Sequence, residues 1–159
     1  MTRLYFEDVV LGERNRTGEY AVERDEVIAY ARKWDPQPFH LDDAAGEASI
    51  FGGLTACFSH VFAIHSHLMS RRENRLAILA GLGFADARMV RPVRPGDRLH
   101  IEFEAVAKRE SRSKSDRGIV ETQFHLLNQR GEEVLSMLGR AMVERRPATI
   151  EADSPGRRS

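Results

Sequence analysis

The chain has one cysteine, Cys57, among 159 residues, and no surplus of either charge, since 24 Lys and Arg stand against 24 Asp and Glu. A lone thiol closes no internal disulfide, which excludes a disulfide-framed secreted domain. The charge balance removes the global field that would draw nucleic acid or an anionic membrane, so neither is expected as a partner. Long apolar runs are missing too. The longest nearly apolar stretch, Leu76 to Ala85 (LAILAGLGFA), is far below the roughly 20 residues a membrane-crossing helix needs. The start, MTRLYFEDVVLG, carries acids where a secretory leader needs an unbroken apolar run. With no glycine-rich nucleotide loop after a strand, no redox cofactor is implied. These absences together predict a cytoplasmic protein whose partner is a small molecule or another protein.

The length suits one domain with a real core, expected over residues 1–146, with an aperiodic, disordered tail over 147–159. Within ERDEVIAYARKW, Val27, Tyr30, Ala31 and Trp34 recur at helical spacing, predicting an amphipathic helix over 24–33. From Leu54 to Met69 the apolar residues Leu54, Cys57, Phe58, Val61, Ile64 and Leu68 form one stripe, widened by Phe62 and Met69, which predicts a largely buried helix opened by Gly52 and Gly53. The pattern then changes to strands. LHIEFEAVA alternates apolar and polar residues; IVETQFHLL and VLSMLGRAMV read alike across the turn NQRGEE; LAILAGLGFADARMV reads as an earlier, more buried strand. One more strand is expected near Arg14 to Val22. A sheet of this kind needs a cover for its apolar face, and the long helix is the available one, so the fold class is α+β, an antiparallel sheet wrapped around a central helix.

Between the two helices stands WDPQPFHLDD, Trp34 to Asp43, with two prolines, a histidine and three acids in ten residues. Pro36 and Pro38 disfavour helical dihedrals at Asp35 and Gln37, so the first helix must end there and a rigid loop follow. Asp42 and Asp43 are expected to cap a short helix in DDAAGEA. On spacing alone two readings stay open. Asp35 starts a turn and His40 is an ordinary half-buried histidine, or the two form an acid–base pair.

The run Asp35, Pro36, Gln37, Pro38, Phe39, His40 resembles the signature of the MaoC-like dehydratases, which include the R-specific enoyl-CoA hydratases of the hot-dog fold. That signature is Asp, any residue, Asn, Pro, any residue, His; here Gln37 stands at the Asn, and Trp34 where a glycine often precedes the Asp. FGGLT (Phe51 to Thr55) resembles the block that opens the family's central helix, with Gly53 at its glycine, and RPVRPGDRL resembles a later turn. The resemblance implies a hot-dog domain that hydrates a trans-2-enoyl thioester to its (R)-3-hydroxyacyl partner. It implies Asp35 and His40 as the catalytic pair, Gly53 N–H as oxyanion donor, and Gln37 and Pro38 as loop support.

By the same resemblance, coenzyme A or an acyl carrier enters as part of the substrate, and the chain forms at least a homodimer. The chemistry suits the residues, because hydration needs an activated water, a proton for the α-carbon and donors to the thioester oxygen. His60, His65 and His67 lie on the central helix, but only His60 and His67 share a face and no helix carboxylate completes a ligand set, so no metal is expected. KRESRSKSDR, Lys108 to Arg117, carries a net charge of plus three; it reads as a solvated hairpin tip, with contact to coenzyme A phosphates as the alternative. Two other functions stay open: a hot-dog thioesterase, disfavoured because Leu54 to Met69 lacks a carboxylate, and a non-catalytic acyl-binding subunit.

Overall fold

The structure is a computed structural model and describes residues 2–147. The expected tail therefore lies outside the described residues, apart from Pro147. Four long strands follow one another antiparallel: β5 (Ile78–Met89), β6 (Arg98–Glu110), β7 (Arg117–Leu127) and β8 (Glu133–Glu144). They assemble in the order β6-β7-β8-β5. The strand expected over 14–22 is two short pieces, β2 (Asn15–Arg16) and β3 (Tyr20–Ala21), both antiparallel to β6. Thr17 between them donates its N–H to Ile101 O (3.0 Å) and accepts from Ile101 N through Oγ1 (2.9 Å), which keeps the interrupted edge attached. A parallel pair, β1 (Thr2–Leu4) with β4 (Asn74–Leu76), lies apart from the main sheet.

The first helix, α1 (Arg24–Trp34), forms as its spacing predicts and buries Val27 and Ala31 completely. Two short helices follow, α2 (Pro38–Leu41) and α3 (Asp43–Glu47), and Asp42 caps α3 by accepting from Ala45 N at 2.9 Å. The central helix α4 (Phe58–Ser70) lies against the sheet, and Val61, Ile64 and Leu68 join Leu99, Ile101, Leu126 and Leu135 in the main core. The antiparallel sheet thus wraps the central helix, as expected for a hot-dog fold.

Two expectations need correction. The helix begins at Phe58, not at Gly53; Leu54 and Cys57 are buried as an extended lead-in held by Ala56 N–H to Val93 O (2.8 Å). Periodicity could not show this, because an extended segment running into the core presents the same apolar residues. The second concerns β5, read as buried because it is continuously apolar. In the single chain it is exposed along its length, Ile78 by 56%, Leu82 by 45% and Phe84 by 48%. Among the described strands it pairs only with β8.

Packing over the inner face is tight where glycine permits it. A Cβ on Gly139 of β8 would lie 2.6 Å from the Phe124 ring and 3.0 Å from Phe84. Gly139→Ala is therefore expected to lower stability by about 1–3 kcal/mol, the usual cost of overpacking, despite alanine's better fit to a strand. A denaturant titration reads the difference.

Candidate active site

Pro36 forces Asp35 out of helical geometry, and Asp35 ends α1 with φ −155° while its N–H still donates to Ala31 O at 2.8 Å. Its carbonyl accepts from Gln37 N at 2.8 Å, and Gln37 O in turn accepts from His40 N at 2.9 Å. Pro38 then occupies the first position of α2, where its missing N–H costs nothing. The loop is accordingly half helix and not extended throughout. Support from Gln37 comes through its backbone, and support from Pro38 through its fixed φ.

His40 is buried, and its Nδ1 lies 2.6 Å from the carbonyl oxygen of Thr55. A carbonyl only accepts, so Nδ1–H donates and the neutral ring is left with its lone pair on Nε2. That nitrogen lies 3.8 Å from Asp35 Oδ2. The gap is too long for a direct hydrogen bond and short enough for one water to touch both atoms. Thr55 is itself tied on both sides, its N–H to Phe39 O (3.3 Å) and its Oγ1 to Val93 O (3.0 Å). The tautomer therefore rests on a stiff support. Sequence reading missed Thr55, since a backbone carbonyl leaves no residue-type signal.

Asp35 and His40 open on one cavity of about 350 Å³. Phe51, Phe58, Met89 and Val90 give it apolar walls, and Ala56 together with Phe58 brings the start of α4 to its edge. Of the three bulky residues near the loop, Phe51 borders the cavity, Phe39 packs behind it at 5.1 Å between ring centres, and Trp34 is 63% exposed. Arg91 also lines the cavity, at the turn beyond β5, and sequence reading passed over it in favour of Pro95 and Gly96.

Gly53 is placed otherwise than expected. It lies five residues before α4, and its N–H donates to Gly46 O at 2.9 Å. Its lack of a side chain serves close approach, because a Cβ there would lie 2.5 Å from Arg94 Nη1. Arg94 in turn holds the carbonyls of Phe51 and Leu54. At the start of α4, His60 and Val61 donate to Cys57 O, whereas the N–H groups of Phe58 and Ser59 have no backbone acceptor among the described residues.

The helix histidines do not converge on a metal site. Among the described residues no three His, Cys, Asp or Glu side chains approach closely enough to hold an ion. His60 stacks on Tyr30, with Glu26 Oε1 3.4 Å from its Nε2 but poorly aligned for a hydrogen bond. His65 sits among Phe62, Phe84 and Phe124 with neither nitrogen bonded. Cys57 is a buried core residue preceding α4. The basic stretch 108–117 forms the β6–β7 hairpin end. Register runs from Met89 at the cavity through Leu135 and Leu126 to Ile101, nine residues from Glu110, which sets the hairpin roughly 30 Å away. It does not border the cavity.

Burial pushes the His65 imidazole down from 6.5 to about 4, and lowers His60 and His100 as well. Above pH 6.5 the ring is neutral folded or unfolded, so it has no effect on the balance. As pH falls the unfolded chain takes up the proton first, costing the folded state about 2 kcal/mol at pH 5 and about 3 kcal/mol below pH 4 from His65 alone. Thermal unfolding is expected to show stability falling from pH 6.5 to 4, with a shallower fall in His65→Leu.

Comparison with known proteins agrees with this architecture. The family model of the MaoC-like domain matches residues 8–124. A mesaconyl-CoA hydratase of Cereibacter sphaeroides is 38% identical over 80 residues, which are 50% of this chain and 23% of that protein. The chain thus spans under a quarter of that relative's length. The crystal structure of a MaoC-like dehydratase from Rhodospirillum rubrum superposes with a TM-score of 0.84 at 39% identity, covering 91% of this chain and 99% of the other. An (R)-hydratase from A. caviae, at 24% identity and a TM-score of 0.67 over 88% and 99%, shares the fold. With the model matching well over half its length, the chain belongs to the MaoC-like domain family.

Proposed function

We propose that this protein is a hydro-lyase interconverting trans-2-enoyl-CoA and (R)-3-hydroxyacyl-CoA, with Asp35 and His40 acting as an acid–base pair through a bound water. The observation that carries the reading is the Asp35–His40 geometry: two titratable groups 3.8 Å apart in a cavity, with the His tautomer held by Thr55 O. A water between them has Nε2 and the carboxylate as acceptors for its two protons, leaving an oxygen lone pair for carbon 3. As that oxygen bonds to carbon 3, the pair takes up one proton from the water and delivers one to carbon 2. The double-bond electrons pass towards the thioester oxygen and return as carbon 2 is protonated. Dehydration runs the same steps backwards. Both groups act on one water, so the proton steps are assigned to the pair.

Charge on the thioester oxygen needs donors. With the Gly53 amide engaged by Gly46, the amides of Phe58 and Ser59 at the positive end of α4 suit that role better. Gly53 would reach it only by releasing its present bond. The R-configuration follows the family resemblance and the A. caviae relative; the coenzyme A carrier follows the Cereibacter relative. Coenzyme A enters with the substrate, and the reaction needs no separate cofactor.

The working unit in this reading is a homodimer. The exposed apolar β5 offers an unpaired edge for a second copy, which would extend the sheet across a two-fold axis. Met89, the last residue of the same strand, and Val90 after it border the cavity, so the site would lie beside the subunit boundary.

Short and medium trans-2-enoyl-CoA thioesters, followed by loss of the conjugated-thioester absorbance with a thiol reagent in parallel, test the function. Loss of absorbance without thiol release is expected. Thiol release without hydration would identify a thioesterase, and binding without either change would identify a non-catalytic subunit.

A further inference from the structure

We propose that Arg94 is a positioning residue for His40: by holding the Phe51–Leu54 turn it keeps Thr55 O where it fixes the imidazole with its lone pair on Nε2. The effect on rate rests on the hydratase reading above; the effect on the tautomer does not. Arg94 belongs to the turn between β5 and β6 and lies outside the cavity lining. Its guanidinium forks onto two carbonyls of one short stretch, Nη2 donating to Phe51 O and Nη1 to Leu54 O at 3.4 Å. Both acceptors bear on the site. Phe51 is a wall of the cavity, and the Leu54 carbonyl shares a peptide unit with Thr55 N–H, which donates to Phe39 O at 3.3 Å. The next carbonyl, Thr55 O, is the one that meets His40 Nδ1 at 2.6 Å.

The fork is itself held at its root. Arg94 N–H donates to Asp97 Oδ2 (2.8 Å), Asp97 N–H donates back to Arg94 O (3.1 Å), and Asp97 is buried. Beside it Val93 O accepts from Ala56 N–H (2.8 Å) and from Thr55 Oγ1 (3.0 Å). Val93 and Arg94 therefore grip the stretch 51–56 from one side, while Phe39 and His40 meet Thr55 from the other. Gly53 makes the grip possible, because a Cβ there would lie 2.5 Å from Nη1. A planar guanidinium sets two carbonyls at a fixed separation, which the point charge of a lysine does not. Without the fork the carbonyl of buried Leu54 loses this donor, and the peptide before the Thr55 carbonyl is held at its N–H end alone. As Thr55 O moves off Nδ1, the ring proton is drawn to Nε2, which faces Asp35 Oδ2 at 3.8 Å. An N–H then stands where the proposed mechanism needs a lone pair.

Nuclear magnetic resonance of the full chain carrying isotope-labelled histidine tests this without turnover, since a protonated imidazole nitrogen is distinguished from a bare one. Spectra are taken at about pH 8.5, where free imidazoles are neutral, and the His40 signals are identified by their loss in His40→Ala. Wild-type His40 is expected with its proton on Nδ1. In Arg94→Gln the share of that form should fall and kcat should drop about 10- to 100-fold, the scale of a small misplacement of a catalytic group. Arg94→Lys, which can hold one carbonyl at a time, should be intermediate on both readouts, and it carries the test if Arg94→Gln does not fold. Gly139→Ala, which strains the sheet away from this turn, should keep the wild-type tautomer. A wild-type His40 protonated on Nε2, an unchanged tautomer in both Arg94 variants, or the same shift in Gly139→Ala would overturn the proposal; so would a shifted tautomer with kcat intact. If the tautomer shifts as expected while wild type hydrates no enoyl thioester, the hydratase reading fails and the hold of Arg94 on His40 stands.

Discussion

Asp35→Asn is expected to lower kcat/KM for enoyl-thioester hydration by about 10² to 10⁴-fold, the range that one positioned acid–base group contributes. The substitution keeps size and removes charge, and Asp35 is partly exposed at the end of α1, so the thermal midpoint should hardly move. His40→Ala should cost as much, since Nε2 shares the same water. The double variant should be little slower than either single one, because groups acting on one water as a unit do not multiply their losses. His40→Ala also leaves Thr55 O without its buried donor and opens a small cavity, so a stability loss of about 1–3 kcal/mol is expected alongside. Asp35→Asn is consequently the decisive variant. Retention of wild-type hydration by it would remove the proposed mechanism.

Leu82→Glu is expected to convert a dimer to a monomer. Leu82 sits mid-strand on β5, 45% exposed, and a two-fold pairing of β5 edges brings both copies of the new carboxylate into one interface. Symmetry applies the substitution twice, so dissociation should be favoured by about 100-fold or more. Sedimentation or light scattering of wild type and variant reads the change. Hydration should fall with it, because Met89, which ends the same strand, and Val90 after it line the cavity. A wild type that is monomeric at working concentration would sink the pairing model. The strand has features that a free edge commonly uses against pairing: register shifts along its length and Asp86 at φ 52°. Its continuous apolar surface outweighs them in this reading.

Much of this molecule was legible in order along the chain. Alternation predicted β6, β7 and β8 because each strand sends alternate side chains into the main core, among them Leu99, Ile101 and Phe103, Phe124 and Leu126, and Leu135 and Met137, a one-dimensional pattern with period two. Helical spacing predicted α1, and the paired prolines predicted where it stops, since their restriction on neighbouring dihedrals is local. The same locality made Asp35 and His40 readable as a unit: both lie within one stiff loop of six residues. Family resemblance supplied what spacing left open, the hot-dog fold and the chemistry that the pair is proposed to perform.

Tertiary structure decided the rest, for reasons that are not local. Whether Leu54 to Cys57 coil or extend depends on Phe39 and Val93, which tie down Thr55 and Ala56 from distant parts of the chain. Gly53 kept its place as a residue that only glycine can fill, but its amide went to Gly46, a pairing that no motif records. The β5 run was read as a strand, which it is, and as a buried one, which in the single chain it is not, because apolarity reports the demand for burial and not who supplies it. The His40 tautomer and the place of Arg91 in the wall of the cavity likewise come from packing. The sequence by itself determined the long strands, the first helix and the residues proposed to carry the chemistry, because those depend on neighbours in the chain; orientation, hydrogen-bond partners and the walls of the cavity depend on neighbours in space, and only the folded structure brings those together.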